Sequence, residues 1–167
     1  MAFTPAKQIS GGQDIEYALI DNSQTLSVGE VIIPGIQGDT SVVLTGGSTT
    51  GDLLGVVLAI VGKDGKVLEL DSKAVASDNV TVAQIKVAYI PLYIPMKFDA
   101  DLDAAAETTD NSSGFGNFAV DATGLLLTES SYVAFGTKSS KQFFSIGLVN
   151  ASSTTKVSGR FIATLIA

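Results

Sequence analysis

Leu53 to Leu70, LLGVVLAIVGKDGKVLEL, is the most apolar run in the chain and holds its clearest turn. Two β-rich runs flank Lys63-Asp64-Gly65-Lys66, and Asp-Gly between apolar runs is a strong hairpin signal because both residues tolerate the positive φ of a tight turn. The first arm, Leu53 to Val61, is nearly continuously apolar, which predicts a strand covered on both faces. The second arm, Lys66 to Leu70, is mixed. Nothing in this hairpin offers a catalytic group, so it reads as scaffold.

Composition sets the frame around it. A chain of 167 residues predicts one domain, and one of this size buries roughly 70% of its unfolded surface. Hydrophobic content of 46% against 16% charged, with 17 glycines, fits short strands joined by turns and not long helices. No apolar window has the length of a membrane helix, since Gly62-Lys63-Asp64 interrupts the longest, and the opening MAFTPAKQISGGQDIEY lacks an apolar core of signal-peptide length. A net charge of −7 disfavours a phosphate-binding surface, so neither nucleic acid nor membrane is an expected partner.

Met1 to Gln13, with Pro5, Lys7 and Gly11-Gly12, reads as an extended arm ending in a flexible joint, ahead of a single β domain over 14–167. Ile15 to Ile20 is a predicted strand. Leu26 to Ile33 is a second, closed by Pro34-Gly35, and Ser41 to Leu44 a third. Val80 to Ile90 alternates apolar and polar residues, and Pro91 and Pro95 place YIPLYIP at an edge or on a departing segment. On that segment Leu92, Tyr93 and Ile94 either cap the core or form a contact patch. Asp99 to Asn117 is the longest polar excursion, with one or two helical turns expected over Leu102 to Glu107. A final hairpin joins Gln142 to Val149 with Lys156 to Ile166. The sum is an all-β chain, a compact barrel or sandwich of short antiparallel strands with at most one short helix near 100–107.

Chemistry is sparse. The chain has no histidine and no cysteine, which removes the commonest general base, the usual zinc ligands and any disulfide framework. Gly46 to Gly51 has half the spacing of a Walker A loop, but Asp52 stands where lysine is required and the next run reads as strand. Ser153-x-x-Lys156 lacks the companion motifs of a penicilloyl-serine enzyme. Asn79-x-Thr81, Asn111-x-Ser113 and Asn150-x-Ser152 match the glycosylation triplet without a secretory signal. The one candidate ion site is a calcium-loop-like series, Asp99, Asp101, Asp103, Glu107 and Asp110. In it Ala104 replaces the turn glycine and Asp110 the bidentate glutamate, so a solvated acidic loop is the plainer expectation. No enzyme activity and no cofactor are expected.

The order IEYALIDNSQTLSVGEVIIPG, then TGGSTTGDLLGVVLAIVGKDGKVLEL, then a Ser/Thr-rich end in VSGRFIATLIA resembles the small head decoration, or cement, proteins of tailed bacteriophages. The resemblance spans most of the chain as a pattern of strands, without a signature residue. It implies a β-barrel or β-sandwich module on the outer surface of the virion capsid, made in the host cytoplasm. Such a module binds the major capsid protein and itself, as a homotrimer or a dimer, and reinforces contacts between capsid subunits. The capsid or subunit contacts it implies fall on the arm and on 89–96, at Phe3, Pro5, Lys7, Tyr89, Leu92, Tyr93 and Ile94. The alternative is another virion module, such as a tail or fibre domain binding host glycans, with aromatic and carboxylate groups converging on a pocket.

Overall fold

The computed structural model describes residues 3–8, 15–21, 24–37, 40–45, 53–62, 64–68, 72–74, 86–92, 96–106, 113–134, 142–150, 152 and 154–162. Among them the chain is all-β, without a helix. The strands in chain order are β1 (Phe3–Gln8), β2 (Glu16–Leu19), β3 (Thr25–Ser27), β4 (Val31–Gln37), β5 (Thr40–Thr45), β6 (Gly55–Val61) and β7 (Val67–Leu68). They continue as β8 (Ser72–Ala74), β9 (Lys86–Pro91), β10 (Met96–Asp101), β11 (Phe115–Val120), β12 (Leu127–Ala134), β13 (Phe143–Leu148) and β14 (Lys156–Phe161).

Two antiparallel sheets carry the fold. The first runs β1-β10-β14-β13-β11-β12, the second β2-β9-β6-β4-β5 with β7 added to β6, and β3-β8 is a separate ribbon. The first sheet curls: Leu102, just past β10, bridges Leu127 at the start of β12, and Asp103 N donates to Leu127 O at 2.9 Å. In the second, the edge strands β2 and β5 approach within 8 Å between Cα atoms.

The hairpin of Leu53 to Leu70 forms as its residues dictate. Gly65 takes φ of 79°, its N–H donates to Gly62 O at 2.9 Å, and Gly62 N donates to Lys66 O at 2.8 Å. Strand β6 pairs with β9 along one edge, while β4 and then β7 share the other. Between Val57 and Ala59 the register against β9 slips, leaving Leu58 as the extra residue of a bulge. The slip changes the alternation. Val56 and Leu58 face the larger core, whereas Val57 and Ile60, three apart, both face the smaller.

The larger core lies between the sheets and joins Phe3, Phe98, Phe118, Phe143 and Phe161 of the first to Val31, Val56 and Ile90 of the second. The smaller core, Ile20, Ile32, Val57, Ile60, Val87 and Tyr89, lies on the opposite face of the second sheet. That sheet is therefore covered on both sides, which is why β6 is apolar throughout.

Four expectations are corrected. Leu26 to Ile33 is not one strand: Gly29, with φ of 83°, turns the chain between β3 and β4, and the buried Glu30 carboxylate accepts from Ser27 N at 2.9 Å. Pro34-Gly35 does not close it either. Pro34 pairs with Val43 inside β4, where β5 is the strand's only ladder partner among the described residues beyond Ile32, so its missing donor leaves no carbonyl unpaired. β9 is interior between β2 and β6 and so is not an edge, although Pro91 is its last residue and the following strand, β10, departs to the first sheet. Residues 102–106 are not helical, because their donors go elsewhere: Leu102 N to Thr155 O at 2.8 Å and Ala106 N to Thr154 O at 2.7 Å.

Candidate interaction surface

The acidic series falls on β10 and its continuation. Asp99, Asp101 and Asp103 alternate onto one side, as strand geometry requires, and each has its own protein partner. Ser158 Oγ donates to Asp99 Oδ1 at 2.7 Å, Lys156 Nζ lies 3.3 Å from Asp101 Oδ1, and Glu129 N donates to Asp103 Oδ1 at 2.7 Å. The row fastens β10 to β14 and, through Asp103, to β12. Among the described residues no group of three His, Cys, Asp or Glu is placed to hold a metal ion. Glu107 and Asp110 lie outside the described residues.

Of the residues expected at capsid or subunit contacts, three are inside the chain's own core. Phe3 is fully buried, with ring centroids 5.0 Å from Phe161 and 6.2 Å from Phe143. Tyr89 and Leu92 are buried as well, Tyr89 in the smaller core and Leu92 in the larger. Burial of large apolar side chains in the nearest available core outweighs leaving them for a partner, at about 1.5–3 kcal/mol for each one. These three are therefore fold residues in the single chain. Pro5 and Lys7 are strand positions of β1, opposite Phe98 and Lys97. Tyr93 and Ile94 lie outside the described residues.

An exposed apolar strip occurs elsewhere, on the first sheet. Phe118, Val120 and Phe143 point into the core, so Phe115, Phe144 and Ile146, of opposite parity on β11 and β13, face away from it. Phe115 is 37% and Ile146 52% exposed, they are directly paired across the ladder, and the Phe115 and Phe144 rings meet edge-on at 5.9 Å. Arg160 of β14, exposed, pairs with Phe144 and ends the strip on the side of β14. The signal was present in the sequence. Phe143, Phe144 and Ile146 put apolar residues on both parities of one strand, which a sheet with one core does not need, whereas Leu148 returns to the larger core after the register slip between Ser145 and Gly147.

The Asp121 loop, at the other end of β11, shows how the two sheets are joined. Asp121 Oδ1 accepts from Leu125 N at 3.2 Å, Leu126 N at 3.1 Å and Thr123 Oγ1 at 2.9 Å. The loop so fixed presents Gly124 O to Val31 N at 2.9 Å, a bond from the first sheet to β4 of the second.

No protein family matches this chain, and neither a curated protein nor a solved structure is significantly similar to it.

Proposed function

We propose that the chain is a structural virion protein of the decoration type, binding the outer surface of a phage capsid and reinforcing contacts between major capsid subunits. The observation that carries this reading is the strip of Phe115, Phe144 and Ile146, an apolar surface on a face directed away from the core of an acidic β module. Phe115 and Ile146 are exposed and Phe144 beside them is half-buried, and an apolar patch rimmed by polar residues is the usual mark of a protein contact. Elsewhere on the first sheet acidic side chains are spent on the fold: Asp99, Asp101, Asp103 and Asp121 each hold a neighbouring strand or loop. The order of strand motifs described above supports the same reading.

The mechanism needs no reaction. A module that binds the assembled lattice and not the free subunit stabilises the lattice by mass action, by about 2.7 kcal/mol per site at a hundredfold excess over its dissociation constant. Symmetric copies add avidity without new contacts. The test is co-sedimentation with empty capsids assembled from the major capsid protein of a tailed bacteriophage. Wild type is expected to pellet with the particles and the Ile146→Asp variant to remain in the supernatant. A variant that pellets as well as wild type overturns the assignment of the strip, and a wild type that never pellets overturns the decoration reading itself.

A further inference from the structure

The two N-terminal strands belong to different sheets yet follow one partner. β1 pairs with β10 from Phe3↔Ala100 to Gln8↔Met96, and β2 pairs with β9 from Glu16↔Tyr89 to Leu19↔Lys86. From the first pair to the last, sixteen residues are traversed on one side (3 to 19) and fourteen on the other (86 to 100), so both ladders keep nearly one register. Each of β1 and β2 is the terminal strand of its sheet, and each has a single ladder partner among the described residues. β1 and β2 thus form a strap laid along β10 and β9, one at the edge of each sheet.

The outer half of the strap, β1, is held along one edge, by its ladder to β10. Its ladder to β10 contains Pro5, which has no N–H to donate, and a register slip between Pro5 and Lys7. Among the described side chains, the Phe3 ring enters the core, seated against Phe161 and Phe143. Between the two halves the sequence places Gly11-Gly12, in the seven residues from 9 to 15. Glycine admits backbone directions closed to other residues.

We infer that β1 is an exchangeable strand whose alternative seat is the β10 edge of a second copy of this chain, where its Phe3 fills the same aromatic pocket. Every contact of the closed form is remade between the copies, so exchange costs only the association entropy, the condition under which identical elements swap between protomers. The second copy is favoured over an unrelated segment because the seat demands this strand: an aromatic side chain opposite Ala100 and tolerance of a missing donor opposite Phe98. The inference stands apart from the capsid reading and holds for either fate of it.

The chain has no cysteine, so engineered ones report the pairing cleanly. Thr4→Cys and Asp99→Cys are introduced in separate full-length proteins at positions opposed in the β1-β10 ladder, then mixed at high concentration under mild oxidation. A covalent heterodimer of doubled mass is expected, several-fold above a control mixing Thr4→Cys with Asp64→Cys at the exposed tip of the central hairpin. A second pair, Lys7→Cys with Lys97→Cys, tests the same ladder without removing the Asp99 hydrogen bond. The inference is overturned when neither pair exceeds the control while the double variant Thr4→Cys/Asp99→Cys closes its disulfide within a monomer.

Discussion

The Tyr89 hydroxyl donates a 2.7 Å hydrogen bond to Glu16 Oε2, directly across the β2-β9 ladder in which the two residues face each other. The same ring lies over Gly55 of β6, so one side chain ties three adjacent strands of the second sheet. A Cβ at Gly55 would strike the ring and come within 2.7 Å of the Ile90 carbonyl oxygen, and the backbone half of that collision has no rotamer escape. Gly55→Ala is expected to cost about 1–3 kcal/mol by overpacking. Tyr89→Phe, which removes only the hydroxyl, is expected to cost about 1 kcal/mol. Urea denaturation of the two variants checks the order.

Phe3 carries the attachment of β1. Its truncation empties a pocket lined by Phe143 and Phe161 in a fully buried site, and Phe3→Ala is expected to cost about 3–5 kcal/mol. An arm that merely trailed from the domain would lose nothing measurable. The denaturation midpoint separates the two outcomes.

Asp103 closes the curl of the first sheet by accepting from Glu129 N, beside the Leu102↔Leu127 bridge. Asp103→Ala strips the acceptor from a part-buried donor and is expected to cost about 1–3 kcal/mol, whereas Asp103→Asn keeps an acceptor and loses less. Calcium is expected to leave the thermal midpoint of the wild type unchanged, since Asp99, Asp101 and Asp103 are spent on separate protein donors. A midpoint that rises with calcium would return the acidic series to consideration as an ion site.

The central hairpin was legible because its information is local: Asp64-Gly65 sets the turn, and the apolar run before it sets the burial. The strand breaks were harder. Gly29 separates β3 from β4 inside a run that alternates like one strand, and only the buried Glu30 carboxylate on Ser27 N shows why the chain turns there. Pro91 argued for an edge or a departing segment: β9 is interior and not an edge, but its ladder ends at Pro91 and the next strand, β10, belongs to the other sheet. The helical reading of Leu102 to Glu107 weighed alanine propensity, and tertiary hydrogen bonds from Leu102 and Ala106 to the loop before β14 overrode it. Of the surface, the expected contacts at Phe3, Tyr89 and Leu92 belong to the core, while Phe115 and Ile146 lay within segments read as loop and hairpin.

Ile146 is half exposed and packs into neither core, so Ile146→Asp is expected to lower stability by about 1 kcal/mol or less, with an unchanged far-ultraviolet circular dichroism spectrum. A large loss of stability would make the strip a part of the fold and remove it as a contact.

The central claim is that this module strengthens a shell, and calorimetry of empty capsids with and without saturating protein tests it most directly. The account predicts that the shell's thermal transition moves upward as protein is added and stops moving once the sites are filled. A transition that stays in place at saturating protein would contradict it.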